Sequence, residues 1–185
     1  MSIRHLAGIA LALLLLTACQ SGPEIRRDTA PGADVAGFRT FGFFEELATD
    51  RAGYESVFTA RLKAAVRHEL EGRGYRYEPA QPQLRVNFFA NLETRQEIRE
   101  YPLHLGYFAY RRHYGYGFYT PDWEVVNYRQ GTLTIDLVDA AHSTLVWTAT
   151  AEGRVSEDVM RRPGAAVDET VTLMLRPLPP ARGAD

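Results

Sequence analysis

Thr132-Leu133-Thr134-Ile135-Asp136-Leu137-Val138-Asp139 and, shortly after it, Leu145-Val146-Trp147-Thr148-Ala149 decide the fold class of this chain. Leu133, Ile135 and Leu137 alternate with polar neighbours in the first run, and Leu145, Trp147 and Ala149 keep the same period in the second. Alternation with a period of two belongs to strands that bury one face and wet the other. Between the runs, Ala140-Ala141-His142-Ser143 is small and polar enough to turn, although it lacks the Asn-Gly or Asp-Gly of the tightest hairpins. The expected unit is an antiparallel hairpin of residues 127–139 with 144–154. Trp147, on the face of Leu145 and Ala149, should be buried against a helix, the one that carries Phe58 and Leu62.

Upstream, Leu84, Val86, Phe88, Ala90 and Leu92 repeat the alternation, which predicts another half-buried strand. The period changes between Tyr54 and Glu71. There Phe58, Leu62, Val66 and Leu70 recur every fourth residue, the spacing of one helical face, and Gly72-Arg73-Gly74 ends the pattern. Val35–Phe44, rich in phenylalanine, reads as the first strand, and Val167, Val171 and Met174 or Leu175 predict a last helix over about 164–175. Leu175-Arg176-Pro177-Leu178-Pro179-Pro180 cannot prolong it, because proline lacks the amide donor. The order implies an α+β fold: a mostly antiparallel sheet of about four strands, two helices packed on one face, and a long tyrosine-rich insert before the C-terminal hairpin.

The N-terminus carries a different message. Met1–His5 is short and basic, Leu6–Leu16 is an apolar run, and Leu16-Thr17-Ala18-Cys19 has the pattern of a bacterial lipobox. The run is too short to span a bilayer core of about 30 Å, which needs about 20 helical residues. Residues 1–18 are therefore read as a lipoprotein signal peptide and Cys19 as the lipidation site. Cys19 is the only cysteine, and lipidation accounts for a lone thiol in an exported chain. Residues 19–32, with Gly22, Pro23, Pro31 and Gly32, are expected to form a flexible tether, 33–180 the domain, and 181–185 a frayed tail. Gln20 after the lipid site favours the outer membrane over the inner, with the chain facing the periplasm. Without residues 1–18 there are 20 basic and 23 acidic residues, a formal charge of −3, which argues against a nucleic-acid partner.

Four segments resemble the DUF4136 family of bacterial lipoproteins: Phe38-Arg39-Thr40-Phe41, Leu70-Glu71-Gly72-Arg73-Gly74-Tyr75, Pro82-Gln83-Leu84-Arg85-Val86, and Gly131–Asp139 leading to Leu145-Val146-Trp147. The sequence departs from that pattern at Gln81-Pro82-Gln83, where an acidic residue is usual, and at His142 and Ser143, where Lys and Gly are usual. The resemblance implies envelope localisation and an α+β domain. It transfers no catalytic residue, since the family has no established activity.

Candidate chemistry is sparse. Asp139, His142 and Ser143 are the side-chain types of a hydrolytic triad, but that is a spatial constellation from separate loops, and polar turn chemistry is the simpler reading. His68, His104, His113 and His142 lack metal-ligand spacing, so no metal or cofactor is expected. Glu93, Glu97 and Glu100 would align on a helix, yet Arg95 and Arg99 are interleaved, as on a solvated charged surface. The unusual stretch is 101–128, with Tyr107, Tyr110, Tyr114, Tyr116, Tyr119 and Trp123 as possible binding residues among its aromatics. Such rings serve binding surfaces and membrane interfaces, and they also shield a sheet beneath a folded-back loop; both readings stand. The expectation is a non-enzymatic envelope lipoprotein in contact with the membrane through its lipid and with other envelope proteins. The alternative is a periplasmic small-molecule or glycan binder that uses the insert.

Overall fold

The computed structural model describes residues 22–50, 54–101 and 122–183. The expected hairpin is there: β5 (Asp122–Asp139) pairs antiparallel with β6 (Thr144–Arg154). On its other side β5 pairs antiparallel with β4 (Leu84–Tyr101), from Leu84 opposite Asp139 to Tyr101 opposite Asp122. Alternation puts Leu84, Val86 and Phe88 of β4, Ile135 and Leu137 of β5, and Trp147, Ala149 and Ala151 of β6 on one face, where all are buried. The opposite face, apart from the exposed Phe89, is mainly polar and knitted by hydroxyls. The Thr134 and Thr150 hydroxyls share a hydrogen bond of 2.9 Å, and Thr148 Oγ1 donates to Asp136 Oδ1 at 2.6 Å.

The sheet has six strands, not about four, and it is mixed. β2 (Thr40–Phe43) lies parallel to β4 on one side and to β3 (Arg76–Tyr77) on the other. The sixth strand is a correction. β1 (Glu24–Thr29) falls inside the segment 19–32 expected as a flexible tether, and it pairs antiparallel with β6 along its whole length. The order across the sheet is β1-β6-β5-β4-β2-β3. Val35–Gly37, expected to begin the first strand, is a turn of 3-10 helix, and the strand starts only at Thr40.

Three α-helices are seen among the described residues instead of two: α1 (Val57–Glu71), the short α2 (Glu157–Arg161) and α3 (Pro163–Leu175). The Ser56 side chain caps α1 by accepting from the Thr59 amide at 3.0 Å. At its other end the Gly74 amide donates to Glu71 O at 2.9 Å and the Tyr75 amide to Leu70 O at 3.1 Å, the paired bonds of a Schellman motif. Gly74, with φ at +83°, is its left-handed residue. Leu62, Val66 and Leu70 of α1 are buried as expected, whereas Phe58 is 38% exposed. α1 packs on α3 and lies towards β2 and β3: Lys63 Nζ is 5.8 Å from the Phe43 ring centroid, and the Arg67 guanidinium 4.5 Å from that of Tyr77. The helix against β6 and β1 is α3, so Trp147 is on a strand covered by α3 and not by the helix of Phe58 and Leu62. An irregularity in the ladder after Leu137 also changes the pleat: Val146 turns inward beside Trp147, and Leu145 is left 43% exposed.

Both ends of the domain are tied to the core. Arg27 of β1 donates from Nε to Met174 O at 3.0 Å and from Nη2 to Leu173 O at 2.6 Å, satisfying carbonyls in the last turn of α3 that have no partner within the helix. The buried Tyr75 hydroxyl donates to Pro179 O at 2.9 Å, and burial pushes its pKa up to about 12. Ala181, assigned by sequence to a frayed tail, is buried, and its amide donates to Arg73 O at 2.9 Å; the Arg182 amide donates to Ala36 O at 2.8 Å. The chain is thus ordered past the expected boundary.

Three outcomes follow for stability. Trp147→Ala should cost about 3–5 kcal/mol in chemical denaturation, because a large buried ring leaves a cavity; an unchanged midpoint would mean that the register is wrong. Arg27→Ala should cost about 1–2 kcal/mol, as for charged hydrogen bonds at a partly exposed site, while its neighbour Arg26→Ala, which loses only an exposed ion pair, should leave the midpoint nearly unchanged. Equal effects would contradict the capping role. For Tyr75 the raised pKa favours the neutral phenol in the folded state. Its contribution is whole below the ordinary phenol value of about 10 and is lost as pH rises towards the folded value. Stability measured against pH should therefore fall less steeply across that alkaline window in Tyr75→Phe than in the parent.

Candidate functional site

Beyond the region where helices cover it, the β4–β5 ladder continues as a two-stranded ribbon. β6 leaves β5 at Gln130, opposite Arg154, and β2 leaves β4 at Val86. Among the described residues, the only strand bonded to β4 from Glu93 to Tyr101 is β5. Isolated two-stranded ribbons have little stability in water, because neither face is buried. The ribbon is the feature of this fold that packing does not explain.

Its two faces differ. One carries Glu93, Arg95 and Glu97 of β4 opposite Tyr128 and Gln130 of β5, with Glu152 and Arg154 of β6 beside them at the base. Arg95 lies 3.6 Å from Glu93 and 3.7 Å from Glu152. Arg154 pairs with Glu97, and its guanidinium stands 4.0 Å from the Tyr128 ring centroid. These charges are mutually compensated and solvated, as expected from the interleaving of Arg95, but on a strand and not on a helix. The other face carries Leu92, Thr94, Gln96, Ile98 and Glu100 of β4 opposite Gly131, Arg129, Asn127, Val125 and Trp123 of β5; Leu92, Ile98 and Val125 are exposed at 57%, 64% and 54%, with Ile98 directly opposite Val125. Met160 of α2, 46% exposed, adjoins this face through Arg129, whose Nη1 is 3.1 Å from its sulfur. Sequence reading missed Ile98, Val125 and Met160, and it placed Leu92 with the buried face of its strand, where the structure leaves it exposed. Isolated apolar residues among polar ones have no periodicity to announce them.

Of the expected binding residues, Trp123 lies on β5 opposite Glu100 in the ribbon. Tyr107, Tyr110, Tyr114, Tyr116 and Tyr119 fall outside the described residues, as do Cys19, His104 and His113. The insert expected over 101–128 is shorter than that, since Asp122 onward belongs to β5.

At the opposite end of the sheet, Asp139, His142 and Ser143 form the β5–β6 turn. Asp139 Oδ1 accepts from the Ala141 amide at 2.8 Å, and its Oδ2 is 2.7 Å from His142 Nδ1. These bonds, the His142 ring first, hold the Asp139 carboxyl below the usual carboxylate range. Ser143 takes a left-handed φ of 53° to close the turn. The carboxylate is thus occupied in shaping a turn, next to an open depression lined by Phe38, Pro82, Gln83 and Arg85. Among the described residues no three His, Cys, Asp or Glu side chains are grouped to hold a metal ion, and no helix is long and apolar enough to cross a membrane.

Comparison with known proteins adds the family. A PDZ domain protein from Parabacteroides distasonis is similar in structure, with a TM-score of 0.53 at 16% identity; the match covers 91% of this chain and 39% of that protein, so this chain spans well under half of its relative. A DUF4136 family protein from Bacteroides thetaiotaomicron gives a TM-score of 0.51 at 14% identity, covering 85% of this chain and 96% of the other. At such identities the likeness is one of fold. No curated protein matches the sequence significantly. The family model described as "Domain of unknown function (DUF4136)" matches residues 25–180, from the first strand to the end of the C-terminal segment. The chain belongs to the DUF4136 family.

Proposed function

We propose that this protein is a lipid-anchored envelope lipoprotein that acts by contact and not by catalysis, held in the outer membrane through Cys19 and facing the periplasm. The observation that carries this reading is the distance between lipobox and fold. The first paired residue, Glu24, follows Cys19 by five positions, and its strand is bonded into the sheet throughout. Fully extended, those five residues reach at most about 18 Å, so a lipid on Cys19 would hold the sheet close to the bilayer surface. More than one acyl chain at Cys19 would make that attachment lasting, since each buried methylene contributes about 0.8 kcal/mol. Partners would then be other envelope proteins or the membrane itself. The site descriptions agree with a contact role: Asp139 and His142 are committed to a turn, and Glu93, Arg95 and Glu97 on one face of the ribbon are paired with one another or with Glu152 and Arg154 of β6.

Intact mass measurement on the chain extracted from membranes tests the anchor. The expected species begins at Cys19, carries diacylglycerol and acyl groups, offers no free thiol to alkylation after unfolding, and sediments with outer-membrane fractions. A species beginning elsewhere, or one with a reactive Cys19 thiol, would refute the lipid anchor; an anchored species in the inner-membrane fraction would refute only the sorting.

A further inference from the structure

Strand directions locate the anchor relative to the ribbon. β4 runs outward along the ribbon and β5 returns; β6, antiparallel to β5, runs outward again and ends at the base of the ribbon. β1, antiparallel to β6, therefore starts at that same end, with Glu24 in register with Glu152, Thr132 and Asn91. Cys19 is attached to the end of the sheet from which the ribbon projects. The β5–β6 turn, with Ala141, is at the other end.

Lengths make this a constraint. From Asn91 to Ile98 the ribbon advances about 23 Å, and to Tyr101 about 33 Å, at about 3.3 Å per residue. The tether from Glu24 back to Cys19 spans at most about 18 Å. Wherever the tether points, Ile98 and Val125 extend at least as far beyond the sheet as the lipidated residue can. A domain held this way cannot keep the ribbon away from the surface unless it turns over on its tether. The ribbon's two faces also differ: one carries Glu93, Arg95 and Glu97, the other an exposed apolar pair at Ile98 and Val125, with Leu92 and Met160 towards its base beyond the polar residues Thr94, Gln96, Asn127 and Arg129. Its described charged side chains, Glu93, Arg95, Glu97, Glu124 and Arg129, carry no positive excess, so attraction to anionic headgroups is not the drive.

We propose that the β4–β5 ribbon lies on the lipid surface to which Cys19 is attached, with the face of Ile98, Val125, Leu92 and Met160 against the lipid. This rests on the anchored reading above and goes beyond it by fixing which face of the domain meets the membrane. Contact supplies what the two-stranded ribbon lacks, a layer over one face. Because the contact is apolar, neutral phospholipid suffices and salt has little effect.

The test uses the full lipidated chain in phosphatidylcholine liposomes. Lipidation of Cys19 removes the only native thiol, so Ile98→Cys and Val125→Cys each accept a single spin label, with Glu93→Cys on the charged face and Ala141→Cys at the far end as controls. All four positions are exposed, so the variants should fold, which their thermal transitions check. Flotation with the liposomes reads the anchor separately. In floating protein, labels at 98 and 125 should lose accessibility to a water-soluble nickel chelate several-fold and gain it to oxygen, unchanged in high salt, while labels at 93 and 141 stay water-accessible. Labels at 98 and 125 as accessible as the one at 141, in protein that floats, would overturn the seating and leave the anchor standing. Protection of 98 and 125 that persists in detergent and grows with protein concentration would assign the face to a second copy of the chain, and equally overturn it. Protein that fails to float refutes the anchored reading itself.

Discussion

Eighteen consecutive backbone pairs between β4 and β5 are the constraint on which the rest of this structure depends. The ladder serves two regimes. Between Leu84 and Phe88 it is the middle of a six-stranded sheet, and its inward side chains, with Ile135 and Leu137 opposite, are fully buried. Beyond Leu92, among the described residues, it has no neighbouring strand on the β4 side, and the short helix α2 reaches only its base through Met160 and Arg129. Antiparallel pairing propagates along a strand pair at little further entropic cost once the register is fixed, so a well-packed base can hold an extension that would not persist alone. The buried pairs Val86–Leu137 and Phe88–Ile135 set that register. A slip of one residue would turn all of them to water.

Around that ladder the chain closes on itself through specific polar contacts as well as apolar burial. Arg27 joins the edge strand to the end of α3, and Tyr75 joins the end of α1 to Pro179 in the C-terminal segment. Each uses a side chain to satisfy a main-chain carbonyl, and each connects elements more than a hundred residues apart in sequence. Glu69 adds a bridge between helices, accepting from Thr172 Oγ1 of α3 at 2.6 Å. Exposed surface ion pairs contribute little by comparison. The first and last segments are thus integral to the domain, in agreement with the family match that begins at residue 25.

What was legible in the sequence follows from where packing imposes a period. The hairpin, α1 and the inner half of β4 bury one face, and alternation or four-residue spacing showed them. β1 reads Glu-Ile-Arg-Arg-Asp-Thr because an edge strand with one neighbour exposes nearly every side chain, and charge there protects the edge from pairing with other chains. Nothing in that composition distinguishes it from a tether; the aim of Arg27 at α3 is a tertiary fact. The outer ribbon was hidden for a related reason. With no layer over either face among the described residues, nothing there imposes alternation, and the interleaved charges of Glu93, Arg95 and Glu97 read only as a solvated surface without showing the strand that carries them. Leu145 and Val146 were misassigned because an irregularity in the ladder exchanges their faces, which no periodicity reveals. Of the candidate site, the lipobox is a linear signal read from the sequence alone and lies outside the described residues, while the apolar pair on the ribbon emerges only when Ile98 and Val125 are brought opposite each other.

Topology then does what no single residue does. Going from the ribbon to the edge passes β5, β6 and β1, each antiparallel to the one before, and this parity brings the start of β1 to the ribbon end. Had β1 paired parallel to β6, the same lipobox and the same short tether would have placed the ribbon at the end of the sheet remote from the anchor. The short spacing between Cys19 and Glu24 keeps this directional information, because a tether that is short beside the ribbon cannot average over orientations as a long flexible linker would. In the proposed anchored state, orientation of the domain at a membrane would be encoded by two features with no side-chain chemistry of their own: the parity of three strand pairings and a count of five residues.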